Sequence, residues 1–273
     1  MAIKLGMIGG GVMGEALLSR LIAKNLYDPE EVLVSEPQAN RRDFLVQKYG
    51  VKVTSDNRAA AAASDILLLA IKPQVFEAVA TELAQGDGKG VSKEEPLPVV
   101  VSILAGVSLG KLEAAFGRHP VIRAMPNTPA TVGAGVTALA PGKAVSKSQI
   151  EQAISLFQSV GEVVEVPESL MDAVTGLSGS GPAYVALMVE ALSDGGVAAG
   201  LPRAIASQLA LSTVLGTAQL LQQSELHPAQ LKDRVTSPGG TTIAGIRELE
   251  RAGFRSALIE AVLAAKERSR QLG

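Results

Sequence analysis

The feature that most narrows the fold is an alternation running from Ile3 to about Val166, in which short apolar runs are separated by segments with helical patterning. The runs cover residues 3–8, 32–35, 51–54, 66–71, 99–103 and 121–125, and the helix candidates between them cover 15–24, 41–49, 74–85, 108–116 and 147–159. Nearly continuous apolar runs suit strands buried on both faces, and their alternation with helices implies βα units around a parallel sheet. The Gly-, Lys- and Glu-rich stretch 86–98 is expected to be a surface excursion inside this half, because the alternation resumes after it.

Beyond Pro167 the strand signal stops and Ala- and Leu-rich helical segments follow, at 169–177, 182–199, 202–223, 228–235, 242–252 and 254–271. Pro182, Pro202 and Pro228 each stand where a helix would begin. The boundary is expected near 163–168, with a doubly wound α/β domain over 1–165 and an all-α domain over 166–273. Residues 182–223 are apolar around most of the helix circumference, so something must cover them; a subunit interface is the economical explanation and a self-contained bundle the other. Residues 204–224 carry no charge, yet Gln208, Gln219, Gln222 and Gln223 with several Ser and Thr leave the stretch only about half apolar. A helix buried in protein, not a membrane span, is expected there.

Composition removes several classes of function. Twenty-five Lys and Arg against 27 Asp and Glu give a net charge of -2, which leaves no basic excess for a nucleic-acid backbone. Aromatic residues are 3% with no Trp, too few for base-stacking platforms. Cysteine is absent and only His119 and His227 supply imidazoles, so no metal site, disulfide or thiolate nucleophile is expected. The apolar run ending at Ile8 is broken by Gly9, Gly10 and Gly11, too short for a secretory signal, and the expected compartment is the cytoplasm.

Gly9-Gly10-Gly11-Val12-Met13-Gly14 is a G-x-G-x-x-G placed directly after the first run and opening a helix, the context in which the motif holds a dinucleotide. Gly9 permits the tight turn, Gly11 lets the backbone approach a pyrophosphate, and Gly14 lets helix and strand pack closely. The second run ends in Ser35 and Glu36, where an acidic residue normally meets the ribose 2′-hydroxyl and favours NAD. Arg41 and Arg42 follow and point the other way, toward a 2′-phosphate, unless they are simply a solvated helix face. Lys72-Pro73 and Pro126-Asn127-Thr128-Pro129 sit at the carboxyl ends of strands, where such sheets bind ligands; the second is equally plausible as a plain turn. In the helical half, residues 177–182 and 237–242 are small-residue loops each followed by a helix. The second joins flexible N–H groups to two hydroxyls, a seat for a carboxylate or phosphate or an ordinary Ser/Thr cap.

These blocks together, with Ala70-Ile71-Lys72-Pro73, Gly176 to Tyr184 and Val235 to Gly245, closely resemble the pyrroline-5-carboxylate reductase family, in order along essentially the whole chain. The resemblance implies a Rossmann domain followed by a helical dimerisation domain, with sites completed by the partner and a ring of dimers as the larger assembly. It implies reduction of 1-pyrroline-5-carboxylate to L-proline, the last step of proline biosynthesis, with NADP or NAD in reduced form as hydride donor. Carried over by position, Gly11, Val12 and Met13 meet the pyrophosphate, Asn57 the adenosine side, Ala70 and Lys72 the ribose region, and Pro126, Asn127 and Thr128 the nicotinamide. Gly239, Gly240, Thr241 and Thr242 inherit the substrate carboxylate, with the Thr242 hydroxyl, the one candidate catalytic group, reaching the ring nitrogen; Ser178, Pro182 and Glu225 fall on further substrate-site positions. Glu36 departs from the small polar residue common in relatives, which bears on the choice between NADPH and NADH.

Two rivals are separable on the sequence. A hydroxyacid dehydrogenase of similar plan places a catalytic Lys in a long helix of its second half, but residues 180–224 contain no Lys. A dinucleotide sensor without turnover has no use for the loop at 237–242.

Overall fold

A computed structural model of the chain describes residues 2–84 and 97–272; of the expected excursion at 86–98, all but the last two residues lie outside that range. The first half runs β1 (Leu5–Ile8), α1 (Val12–Ala23), β2 (Val32–Ser35), α2 (Ala39–Tyr49), β3 (Lys52–Thr54), α3 (Asn57–Ala61) and β4 (Ile66–Leu69). It continues with α4 (Phe76–Ala84), β5 (Val99–Ser102), α5 (Leu109–Phe116), β6 (Val121–Met125), β7 (Gly135–Pro141), α6 (Lys147–Gln158) and β8 (Gly161–Glu165). All six expected runs are strands; β7, β8 and the short α3 are additional.

The strands form one sheet in the order β3-β2-β1-β4-β5-β6-β7-β8, parallel except for the antiparallel pair β6–β7. Its first six strands follow the dinucleotide-binding order, with the direction of winding reversing between β1 and β4. In β4 alternate residues feed opposite faces: Ile66 and Leu68 join one core with Leu17, Leu21 and Phe157, while Leu67 and Leu69 join the other with Phe76 and Leu112. Each of these four side chains is fully buried, worth about 1.5–3 kcal/mol of transfer free energy. Where β7 meets β8, Gly161 (φ 149°) faces Gly135, and a Cβ on Gly161 would lie 1.9 Å from the Gly135 carbonyl oxygen. Only glycine permits that approach.

The chain divides into two compact units, Met1–Gly179 with Ala265–Gly273, and Ser180–Ala264. The division falls later than the end of the sheet at Glu165 for a visible reason. After β8 come a 3-10 turn (Glu168–Leu170), α7 (Met171–Val174) and a π-helical turn (Thr175–Gly179), and ion pairs hold this stretch to the sheet. Buried Arg123 of β6 approaches Glu168 at 3.5 Å and Asp172 at 3.9 Å, Glu168 accepts the Leu109 N–H, and Ser269 Oγ donates to Asp172 at 2.7 Å. An Arg kept from water requires such partners.

The second unit is helical: α8 (Gly181–Ala198), α9 (Arg203–Ser224), α10 (Pro228–Arg234), α11 (Thr241–Arg251) and the start of α12 (Phe254–Leu272). α8 and α9 pack closely where Gly196 meets Ala206; a Cβ on Gly196 would lie 2.9 Å from the Ala206 Cβ. The expectation that 204–224 is a buried helix is not met within one chain. α9 buries only Ala206 and Ala210, leaving Leu209, Leu211, Leu215 and Leu220 exposed, and by length and composition alone it would pass for a membrane span. Apolar surface of this extent needs a cover. The expected cover is a second copy of the chain: light scattering at low micromolar concentration should give at least twice the single-chain mass, and an active single-chain species would overturn that expectation.

Candidate active site

The reversal in strand order opens a crevice at the carboxyl ends of β1 and β4, where the glycine motif lies. Gly9 has φ 104°, its N–H donates to Ser35 O at 2.8 Å, and the Ala70 N–H donates to Ile8 O at 2.8 Å. A Cβ on Gly9 would lie 2.5 Å from Ala70 O, and one on Gly14 would lie 2.4 Å from Gly9 O, so close packing demands both glycines. Gly11 differs. A Cβ there would meet no protein atom within 4 Å, and α1 begins with no side-chain cap over its first N–H groups. That clear space before uncapped N–H groups fits a pyrophosphate. Met13 packs on the core and Val12 stands exposed at the rim.

The end of β2 holds this turn from the side. Glu36, 8% exposed, accepts the Gly10 N–H at 3.0 Å on Oε2 and the Gln38 N–H at 3.1 Å on Oε1. An ionised carboxylate offers about four lone-pair sites, so acceptor capacity remains for a ribose hydroxyl. Neither arginine is a merely solvated face. Arg41 Nε donates to Gly10 O at 2.6 Å and its guanidinium pairs with Glu15; Arg42 donates to the carbonyls of Glu36 and Pro37, both at 2.8 Å. Buried Ser35 donates to Asn57 Oδ1 at 2.7 Å, and Asn57 Nδ2 donates to Glu82 at 2.7 Å, which sets Asn57 beside the end of β2. Ala70 and the exposed Lys72 continue it after β4.

After β6, Pro126 and Asn127 are buried and Thr128 opens a 3-10 turn (Thr128–Val132), so the motif is a turn as well as a strand-end segment. Both ends of the Asn127 amide bond to protein: Oδ1 accepts the Val136 N–H at 3.0 Å and Nδ2 donates to Ser178 O at 3.1 Å. Ser178 lies in the π-helical turn with its hydroxyl on Val174 O at 3.1 Å. The other candidates belong to the helical unit. Pro182 is the second residue of α8, and Glu225 ends α9 in the left-handed region at φ 54°. Gly239 has φ 67° and Gly240 precedes Thr241, the first residue of α11, with Thr242 half-buried. Gly240 provides no side-chain cap, so the expected alternative of Ser/Thr capping is not realised.

The sequence pointed to the glycines but not to what braces them. Glu15 receives hydrogen bonds from Tyr49 at 2.7 Å and Lys48 at 3.0 Å as well as the Arg41 pair. Burial acts to raise the Glu15 carboxyl, but the bonds from Tyr49, Arg41 and Lys48 outweigh it and hold the group down at about 2. Its partners lie more than 20 residues away, so no local pattern announces them. A carboxyl with a depressed folded value contributes stability that is complete above its ordinary value of 4.5 and disappears as pH falls toward 2. Glu15→Gln should therefore melt below the parent protein at neutral pH, with the gap closing across that acid window; a gap independent of pH would contradict the network.

A family model described as pyrroline-5-carboxylate reductase dimerisation matches residues 168–272, and one described as NADP oxidoreductase, coenzyme F420-dependent, matches residues 4–106. A Synechocystis pyrroline-5-carboxylate reductase is 62% identical over 273 residues, covering 100% of this chain and 99% of its own. Among solved structures, the Coxiella burnetii pyrroline-5-carboxylate reductase superposes with a TM-score of 0.90 at 37% identity, covering 100% and 99% of the two chains. The Plasmodium falciparum pyrroline carboxylate reductase with NADP bound gives 0.86 at 32%, covering 99% and 98%. With both halves matched and the full length shared, the chain belongs to the pyrroline-5-carboxylate reductase family.

Proposed function

We propose that the chain reduces 1-pyrroline-5-carboxylate to L-proline, with NAD(P)H held along the β1–β4 edge and the imine held by the Gly239–Thr242 turn. One observation carries the reading: the family relationship spans the whole chain, so the glycine cradle and the turn before α11 belong to one enzyme. When bound, the dinucleotide supplies the hydride. Gly9, Gly11, Val12, Met13 and Gly14 would hold its pyrophosphate, Ser35, Glu36 and Asn57 its adenosine end, Ala70 and Lys72 its ribose region, and Pro126 to Thr128 its nicotinamide end. The assembly is proposed to be a dimer through the helical half, and a ring of dimers beyond that.

What remains for the protein is modest. A cyclic imine becomes electrophilic at carbon once its nitrogen takes a proton from solvent, so orientation counts for more than a strong acid. The N–H groups of Thr241 and Thr242 anchor the substrate carboxylate at the start of α11, the Gly240 N–H being held by Ser237 O at 3.1 Å, and the Thr242 hydroxyl bonds to the ring nitrogen. Ser178, Pro182 and Glu225 are the further positions that the family resemblance assigns to the substrate. This division of tasks needs no imidazole or thiol, in keeping with a chain of two His and no Cys.

Mixing protein, NADPH and the imine and following the nicotinamide absorbance tests the reading directly. Thr242→Ala should lower kcat/KM roughly 10- to 150-fold, the equivalent of a hydrogen bond worth about 1.5–3 kcal/mol, while the melting curve and NADPH affinity stay near those of the parent. An unchanged kcat/KM would make Thr242 a bystander.

Glu36 would face the 2′ position with a negative charge, so NADH should be used well, and Glu36→Gln should shift the balance toward NADPH by about fivefold or more, for a like-charge opposition worth at least on the order of 1 kcal/mol. The amide oxygen still accepts from Gly10 while the bond from the Gln38 N–H is lost, so the variant's melting curve is measured beside its kinetics. A parent preference for NADPH above about a hundredfold in kcat/KM, some 2.7 kcal/mol, would exceed what Glu36 can oppose and give Arg41 or Arg42 the deciding role.

A further inference from the structure

Two backbone groups at the nicotinamide end of the crevice lack their ordinary partners, and one side chain serves both. The β6–β7 register pairs Met125 with Ala138, so two residues further along the antiparallel ladder Asn127 falls opposite Val136. There the β6 backbone has already turned away, and the Val136 N–H donates at 3.0 Å to the Asn127 side-chain Oδ1 instead. The second group is the Ser178 carbonyl. In an α-helix its donor would be the N–H of residue 182, but that residue is proline and has none. The π-helical alternative, the N–H of Ala183, donates to Ser180 O at 3.0 Å. Asn127 Nδ2 fills the vacancy at 3.1 Å, and the side chain is only 9% exposed.

We propose that Asn127 is a positioning residue: its amide fastens the π-helical turn Thr175–Gly179 to the end of β6, and Pro182 leaves the Ser178 carbonyl open to receive it. The pairing rests on the proposed function for its consequence, since it places Ser178 beside the segment assigned to the nicotinamide. Two details support a built junction. A Cβ on Gly179 would lie 2.7 Å from Met125 Cε, so the turn sits directly against the strand end. Thr175 and Ser178 both return their hydroxyls to carbonyls four residues earlier, Met171 at 2.9 Å and Val174 at 3.1 Å, which fits a turn whose ladder is locally opened.

Asn127→Asp is the informative variant because it has the same shape and its donor can be switched. Ionised, the carboxylate still accepts from Val136 but meets the Ser178 carbonyl with no proton, and kcat/KM should fall about tenfold or more. Protonated, it regains an O–H donor. The ratio of variant to parent kcat/KM should therefore recover as pH is lowered toward the carboxyl range, whereas the deficit of Asn127→Ala should not. Arg123 on β6, Glu168 and Asp172 ahead of the turn, and Glu162 and Glu165 on β8 are common to parent and variant, so the ratio cancels their titration. A second readout needs neither cofactor nor substrate: hydrogen exchange over residues 175–179 should quicken in both variants while that of β4 is unchanged. A flat ratio across pH, or unaltered exchange over 175–179, would overturn the positioning role. Failure of the parent protein to reduce the imine would overturn the functional reading instead, and the exchange result would stand apart from it.

Discussion

Much of the first unit follows from how closely α1 starts behind β1. With the Gly9 carbonyl where a Cβ of Gly14 would fall, and the Ala70 carbonyl where one of Gly9 would fall, strand, turn and helix are drawn together across the reversal between β1 and β4. The closeness leaves the first N–H groups of α1 facing open space instead of protein. Both backbone groups of Gly10 are held from beyond β2, the N–H by Glu36 and the carbonyl by Arg41 of α2. Arg41 in turn is held by Glu15, on the first turn of the helix the glycines open. Cradle and brace thus form a closed loop of contacts, in which the residue expected to read the ribose also fixes the shape of the phosphate turn.

How much of this the sequence disclosed depended on the separation of the partners. β1, β2, β4 and β5 were legible because each is a compact run buried on both faces, while the edge strand β3, with exposed Lys52, and the Arg-bearing β6 were legible from their place in the alternation with helices. β7 and β8 were not: β7 spans Gly135 to Pro141 with Ala and Thr between, and β8 places Glu162 and Glu165 around two valines near the sheet edge, so neither reads as a continuous run. α3 is five residues long, too short to show a period. The glycine cradle was legible because its geometry is local. The amide of Asn127 was not, since its two partners lie 9 and 51 residues away and the proline that makes the second one necessary is a further four residues on.

Hydropathy at α9 shows what it can and cannot disclose. A helix without charge that is too polar to favour a bilayer reads as buried in protein, with a subunit interface the economical cover, and within one chain most of its large apolar side chains stand exposed. Hydropathy reports that a surface must leave water without saying what receives it. The family's dimerisation region spans this helix, and a second copy is the cover proposed for it. A lone subunit would carry exposed leucines on more than one side of α9; the small residues on its packed side, Ala206 and Ala210, leave room for α8 alone.

The proposed chemistry explains why so few reactive side chains are present. Moving hydride to a protonated imine asks a protein to hold two molecules in register, and backbone N–H groups do that without any titratable group. Rigid backbone is then the scarce resource, and helix or strand ends furnish it only where their terminal groups are free yet fixed. The cradle at Gly11 and the turn before Thr241 are free because glycine removes the cap. The carbonyl of Ser178 is free because proline removes the donor, and it is fixed because Asn127 supplies another. Proline at 182 is therefore more than a helix starter: an ordinary residue there would offer Ser178 an intrahelical N–H, and the π-helical turn would lose its reason to stay with the sheet.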